Sequence, residues 1–120
     1  DLHSFPTRRS SDLIISDIVR EKILLATRDE IPHAIAVDVD EMKTRDDGTT
    51  YIRATIYCER DSQKGIIIGK KGALLKQLGA EARADIQKLL ATKVYLDLWV
   101  KVKKDWRNKS GMLSELGYRK

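Results

Sequence analysis

Residues 66–72, Ile-Ile-Ile-Gly-Lys-Lys-Gly, constrain the fold more than any other stretch of this 120-residue chain. Three large aliphatic residues run directly into a turn in which two glycines bracket two lysines. The apolar positions that follow, Leu75, Leu78, Ala82, Ile86 and Leu89, lie three or four residues apart and predict one face of a helix that begins at Ala73. The stretch therefore predicts an apolar segment, a cationic turn and a helix N-terminus in direct succession.

Three further segments alternate between apolar and polar residues, which is the period of a half-buried strand. Asp46, Asp47 and Gly48 form a turn signal between the first two segments and predict an antiparallel hairpin. The third segment follows a helical crossover, which predicts a strand parallel to the second. The residues predicted to face inward are Ile35, Val37 and Val39 in the first strand, Ile52, Ala54, Ile56 and Cys58 in the second, and Val94, Leu96, Leu98, Val100 and Val102 in the third.

Helices are predicted in three other places. Ser16 can cap a helix that ends near Arg28, before Pro32. A short helix is predicted over residues 63–68, and a closing helix over residues 105–118 with Gly117 as its cap. The apolar stripe predicted for the first helix comprises Ile18, Val19, Ile23, Leu25 and Ala26. The predicted fold class is α+β, with the order helix-strand-strand-helix-helix-strand, a three-stranded mixed sheet and a C-terminal helix.

Residues 1–13 share no periodicity with the rest of the chain. Residues 3–13 resemble the conceptual translation of a sequencing-library adapter, and the alternative is a disordered native linker. We therefore expect residues 1–13 to be a foreign or disordered segment and residues 14–120 to form one domain.

Lysine and arginine number 23 against 18 aspartates and glutamates, and the sequence pI is about 9.4. This excess favours an anionic partner, with nucleic acid first and a membrane surface second, although a mildly basic protein without such a partner shows the same excess. Cys58 is the single cysteine, which excludes an internal disulfide and indicates a reducing compartment. Two histidines and one cysteine argue against a zinc site, and no apolar run approaches the roughly 20 residues of a spanning helix.

Three interpretations of residues 66–72 compete. A phosphate-binding loop of a nucleotide enzyme fails because the glycine spacing is one residue short and Lys71 occupies the Ser or Thr position. A turn with glycines for conformation alone leaves two lysines without an acidic neighbour unexplained. A Gly-x-x-Gly clamp for single-stranded nucleic acid accounts for bare backbone, charge and a helix N-terminus together, and such a clamp holds about four nucleotides.

The order of elements together with IIIGKKG resembles a type II KH domain. The stretches REKILLATRDEIPHAIAVDVDEM, ERDSQKGIIIGKKGALLKQLGAEARADIQKLL and KVYLDLWVKVKKDWR, with a closing LSELGY, are similar to the C-terminal KH domain of the Era family of bacterial GTPases. The resemblance implies binding to single-stranded RNA at the 3′ end of 16S ribosomal RNA during small-subunit assembly. It also implies a cytoplasmic location with peripheral association at the inner membrane. GTP and Mg²⁺ would belong to an N-terminal domain of the parent, so no cofactor, small-molecule substrate or enzymatic activity is expected of this chain.

The resemblance also implies a set of RNA-binding residues. The backbone clamp would be Gly69, Lys70, Lys71 and Gly72, and the groove would be shaped by Ile66, Ile67 and Ile68. Apart from the resemblance, further basic residues could extend the RNA-binding surface, although an ordinary solvated charge is the alternative for each: Lys64, Lys76, Arg83, Lys101, Lys103 and Lys104. Tyr95 and Trp99 on the third strand could stack on bases, but we expect them to pack beneath a helix. No catalytic residue and no metal ligand is expected. The alternative functions are a protein-docking domain with a vestigial clamp and, last, an enzyme.

Overall fold

The computed structural model describes residues 8–28 and 35–103. Its elements are α1 (Arg8–Thr27), β1 (Ile35–Thr44), β2 (Thr50–Cys58), α2 (Asp61–Ile68), α3 (Ala73–Leu90) and β3 (Val94–Val102), with one turn of 3₁₀-helix (Lys70–Gly72) between α2 and α3. This order confirms the predicted α+β succession of helix, two strands, two helices and strand. The helix predicted over residues 105–118 lies outside the described residues.

The three strands form one mixed sheet in the order β1-β2-β3. β1 pairs with β2 antiparallel, and β2 pairs with β3 parallel, as the predicted helical crossover requires. The turn between β1 and β2 is closed by Asp47, whose carboxylate accepts a hydrogen bond of 2.9 Å from the Thr49 amide. Because the strand order is β1-β2-β3, β3 lies at an edge of the sheet, with one side unpaired within the described structure.

β1 contains an irregularity at Asp40 that the alternation of its residues did not predict. Val39 pairs with Ala54 and Glu41 pairs with Arg53, so Asp40 has no partner residue opposite it. The Thr55 hydroxyl donates a hydrogen bond to the Asp40 carboxylate at this point. A bulge shifts the phase of the side chains by one residue, so that Met42, rather than an odd-numbered residue, packs against the core.

α1 begins at Arg8, eight residues before the predicted cap at Ser16. Ser16 is buried within the helix, and its hydroxyl donates 2.8 Å to the Asp12 carbonyl instead of capping an end. The predicted stripe is also wrong at Leu25, which is 68% exposed, and at Ala26. Residues 8–13 thus continue the helix, and the division of the chain at residue 13 stays a prediction.

An aliphatic core fills the space between the helices and one face of the sheet. Its buried members from α1 are Ile15, Val19 and Ile23; from the sheet Ile35, Val37, Val39, Ile52, Ala54, Ile56, Cys58, Val94 and Val100; and from α2 and α3 Ile67, Leu78, Ala82 and Ile86. Every residue predicted to face inward on β2 is buried, and Cys58 is filler, as expected. Leu89 was predicted on the buried face of α3 but is exposed, and the next residue, Leu90, packs against the core instead.

α1 and α3 are joined at their surface by an ion pair. The Lys22 ammonium lies 2.8 Å from an Asp85 carboxylate oxygen. The hydrogen bond that Lys22 donates lowers the pKa of the Asp85 carboxyl below its usual value. Within the described residues, no helix is both long and apolar enough to cross a membrane.

The end of α3 offers a test of backbone strain. Ala91 has φ 56° and ψ 37°, and its amide donates 2.8 Å to the Gln87 carbonyl. Because a side chain disfavours this left-handed conformation, Ala91→Gly should raise the free energy of unfolding by about 1 kcal/mol. Urea denaturation should show a higher midpoint with an unchanged slope. Ala84→Gly, an exposed position inside α3, is the control and should instead lower stability by about 1 kcal/mol; a loss in both variants would contradict the assignment.

Candidate nucleic-acid interface

Three of the four residues of the Gly-Lys-Lys-Gly turn have a positive φ. Gly69 has φ 76° and ψ 179°, Lys71 has φ 56° and ψ 28°, and Gly72 has φ 78° and ψ 8°. A Cβ at Gly69 would lie 2.7 Å from the Leu74 Cβ and 2.9 Å from the Leu74 amide nitrogen. A Cβ at Gly72 would meet nothing within 4 Å. Gly69 is therefore required by both conformation and space, whereas Gly72 is favoured by conformation alone.

This turn delivers two cations to the start of α3. Lys70 and Lys71 are both exposed, and α3 begins immediately after Gly72. In the described structure no side chain caps α3 and its first turn holds no acidic residue. The amide groups of a helix's first turn point outward along its axis and attract anions. The turn thus combines lysine charge with backbone donors, which suits a phosphate group.

An open groove of about 540 Å³ continues from this turn, between α3 and the edge strand β3. Its floor is aliphatic, and basic side chains stand on its α3 wall. The lining residues are Gly72, Leu75, Lys76, Gly79, Ala80 and Arg83 from the α3 side, and Val94, Tyr95, Leu96 and Leu98 from β3. The groove therefore offers apolar surface for bases and cations for a backbone within one cleft.

The groove is shaped by the way α3 approaches β3. Gly79 faces β3, and a Cβ there would lie 3.4 Å from Leu98 Cδ1. At the other end of α3, the Gln87 side-chain oxygen accepts 3.0 Å from the Val94 amide and 3.5 Å from Arg83. These contacts fix the start of β3 against α3 and leave room between them beside Gly79.

The structure brings together only some of the residues predicted for the site. Gly72 and Lys76 line the groove, Gly69, Lys70 and Lys71 form its entrance turn, and Arg83 joins them from the wider basic set. None of the three isoleucines is among the lining residues: Ile67 is fully buried, and Ile66 and Ile68 pack against the core from α2. Their contribution to the groove is indirect, because they anchor α2 and so place the turn.

Three predicted lysines lie away from the groove. Lys64 is on α2 near Cys58; burial raises the pKa of the Cys58 thiol, and the Lys64 charge offsets part of that rise. Lys101 and Lys103 follow the half of β3 that lines the groove, and the Lys103 ammonium lies 5.8 Å from the Tyr57 ring centre on the outer face of the sheet. A role for these three in RNA binding stays a prediction.

Sequence reasoning missed the groove floor. Leu96 and Leu98 were assigned to the core and Leu75 to the buried helix face, yet all three are only partly buried because they face the cleft. The interior glycine of α3, Gly79, was the signal that could have identified them, since such a residue often marks a close approach. Tyr95 and Trp99 were expected to pack beneath the N-terminal or the C-terminal helix. α1 leaves their side chains 52% and 46% exposed, and the predicted C-terminal helix lies outside the described residues.

Comparison with known sequences agrees with this geometry. Residues 30–107, more than half of the chain, match the KH domain family. GTPase Era of Halothermothrix orenii is 50% identical over 113 residues, which cover 94% of this chain and 38% of that protein. GTPase Era of Ruminiclostridium cellulolyticum is 52% identical over 113 residues, with the same coverage. GTPase Era of Staphylococcus haemolyticus is 54% identical over 118 residues, covering 95% of this chain and 40% of that protein.

Two solved structures have the same fold. One is a crystal structure of an Aquifex aeolicus Era variant bound to GDP and AlF4⁻, and the other is Era in complex with MgGDPNP and nucleotides 1506–1542 of 16S ribosomal RNA. Each superposes with a TM-score of 0.86 at 41% identity, over 91% of this chain and 37% of that chain.

The chain spans about 38–40% of the length of the curated relatives that it matches. The matched part is consistent with their KH region. With its three-stranded mixed sheet, its Gly-Lys-Lys-Gly turn between two helices and its match over residues 30–107, the chain belongs to the KH domain family.

Proposed function

We propose that this chain binds single-stranded RNA in the groove between α3 and β3, with the Gly-Lys-Lys-Gly turn holding the RNA backbone. The observation that carries this function is the continuity of the groove with the turn, because Gly72 belongs to both. Phosphates would lie against Lys70, Lys71 and the first amides of α3, and bases would pack on the aliphatic floor. Lys76 and Arg83 would supply further charge along the α3 wall.

The proposed RNA is the 3′ end of 16S ribosomal RNA. Support comes from the Era structure that holds nucleotides 1506–1542 of that RNA and has the same fold at a TM-score of 0.86. On this proposal the chain is the RNA-binding part of an Era-like GTPase that acts in assembly of the small ribosomal subunit. GTP and Mg²⁺ would be bound by another part of that parent protein.

A cytoplasmic location, with peripheral association at the inner membrane, follows from the same resemblance and is proposed with it. Its physical support is the excess of five positive charges, which suits both RNA and an anionic membrane surface. No observation favours a protein-docking domain with a vestigial clamp, because the clamp turn and the groove are both formed here.

The test is a charge reversal at the turn, Lys70→Asp with Lys71→Asp. Both side chains are exposed, so circular dichroism should report an unchanged fold. We expect fluorescence anisotropy with labelled nucleotides 1506–1542 of 16S ribosomal RNA to show salt-sensitive binding by the wild type and its loss in the variant. The slope of log affinity against log salt should fall by about 1.4 if two phosphate contacts disappear.

The control carries the same change of charge at exposed residues that do not line the groove, Arg28→Asp with Lys88→Asp. It should retain most of the affinity. Equal affinities for the two double variants would show that only diffuse charge attracts the RNA. Absence of RNA binding by the wild type would instead contradict the proposed function.

A further inference from the structure

The outer face of the sheet, which is the face opposite the helices, carries an ordered cluster that the groove does not use. Tyr51 of β2 and Tyr95 of β3 are register partners, and their rings are stacked with centres 5.6 Å apart and planes inclined by 13°. Trp99 lies four residues beyond Tyr95, on the same face of β3. We call Tyr51, Tyr95 and Trp99 the aromatic platform. Tyr95 and Trp99 are about half exposed although they are large rings.

A guanidinium group lies over each ring of the platform. The Arg45 side chain lies 4.8 Å from the Tyr51 ring centre and 5.3 Å from that of Tyr95. The Arg53 side chain lies 4.9 Å from the Trp99 ring centre. Contacts of this length are cation–π contacts, and guanidinium groups so placed keep donors for a second ligand.

The platform is held in place before any ligand arrives. One carboxylate oxygen of Asp97 accepts hydrogen bonds from the Tyr51 hydroxyl at 3.2 Å and from the Trp99 indole nitrogen at 3.1 Å. The two rings therefore cannot turn freely, since both are tied to a single residue between Tyr95 and Trp99 on β3. A surface whose aromatic rings are already oriented loses less conformational entropy on binding than a flexible one.

The platform is continuous with the groove. Tyr95 lines the groove and also belongs to the outer-face stack, because it lies on the edge strand between the two surfaces. A Gly-x-x-Gly clamp holds about four nucleotides, so a longer strand must leave the groove. An RNA strand that passes over the edge of β3 at Tyr95 would reach the aromatic platform and its two arginines.

We propose that the aromatic platform is a second contact site for single-stranded RNA, on which bases of a strand that leaves the groove stack while Arg45 and Arg53 contact its phosphates. This inference rests on the proposed function, since it concerns the same RNA. RNA is the occupant that fits both halves of the surface, because its bases have flat faces for the rings and its backbone has anionic groups for the guanidinium groups. An apolar protein segment would make no use of the positive charge of the two arginines.

The test compares two single-stranded RNAs taken from nucleotides 1506–1542, one of about four and one of about twelve nucleotides. The variant is Arg45→Ala with Trp99→Ala, because neither residue lines the groove. We expect its affinity for the longer RNA to fall by about tenfold or more and its affinity for the shorter RNA to stay unchanged. Trp99→Phe, which keeps a ring, should recover most of the loss at that position.

Lys88→Ala is the control for Arg45→Ala, since it removes the same charge from an exposed residue outside the groove. A second readout is photo-crosslinking of the longer RNA carrying 4-thiouridine, with mass spectrometry expected to find adducts on Tyr95 or Trp99. Unchanged binding of both RNAs by the platform variant would overturn the second site and leave the groove intact. Equal losses for both RNAs would overturn it as well, because the variant would then act through the groove. Absence of any binding by the wild type would remove the groove and the platform together.

Discussion

Gly69→Ala is expected to lower the free energy of unfolding by about 2–5 kcal/mol, through a strained backbone and a steric clash. Gly69 has φ 76° and ψ 179°, a region that residues with a side chain almost never adopt. The added Cβ would also lie 2.7 Å from the Leu74 Cβ and 2.9 Å from the Leu74 amide nitrogen. Because the amide belongs to the first turn of α3, the clash cannot be relieved by a side-chain rotation. Urea denaturation followed by circular dichroism measures the loss.

Gly72→Ala is the matched control at the other end of the turn. Gly72 has φ 78° and ψ 8°, which is ordinary left-handed backbone, and its Cβ would meet no atom within 4 Å. We expect a cost of only about 1–2 kcal/mol. Similar losses for the two alanine variants would mean that the close approach of Leu74 to Gly69 does not constrain the turn.

Gly79→Leu is expected to weaken RNA binding by about 10- to 100-fold, because its side chain would occupy the floor of the groove where bases pack. Gly79 lines the groove opposite Leu98, so the side chain of a leucine at this position would extend into the groove. No charge changes, so the slope of log affinity against log salt should match that of the wild type. Fluorescence anisotropy with nucleotides 1506–1542 at two salt concentrations provides both quantities.

Gly79→Ala separates blocking of the groove from any effect on α3 itself. Its Cβ would lie 3.4 Å from Leu98 Cδ1, which a small shift of that side chain can accommodate. An interior alanine favours the helix by about 1 kcal/mol over glycine, so the stability of this variant should not fall and RNA binding should persist. Full RNA affinity in a folded Gly79→Leu variant would place the RNA elsewhere than in the groove.

Much of the fold followed from local patterns. The alternation in β2 predicted four inward residues, and all four are buried, because residues of a central strand with one face on the core must obey the period of two. The helical crossover predicted the parallel pairing of β2 with β3, because a helix between two strands of one sheet brings the chain back to the end at which the first strand began. The glycines and lysines of residues 69–72 predicted an open cationic turn, and that turn is formed.

The wrong helix start at Ser16 and the unpredicted bulge at Asp40 share a physical cause. Ser16 is a good cap by residue type, but packing of Ile15 and Val19 continues the helix through it, and its hydroxyl bonds within the helix instead. The bulge at Asp40 is not visible in an alternating pattern because it depends on the partner strand, where Thr55 binds the Asp40 carboxylate. At Ser16 and at Asp40, tertiary contacts overrode the structure that the local sequence favours.

The sequence by itself determined the order of elements, the pairing of the sheet and the cationic turn, because periodicity and turn chemistry depend on residues close together in the chain. Only the tertiary structure decided that Leu96 and Leu98 form a groove floor with Gly79, and that Tyr95 stands between that groove and the aromatic platform. The physical reason is the packing over each strand, which alternation does not encode: β1 is also an edge strand and its Ile35, Val37 and Val39 are buried, whereas room remains between α3 and β3 beside Gly79.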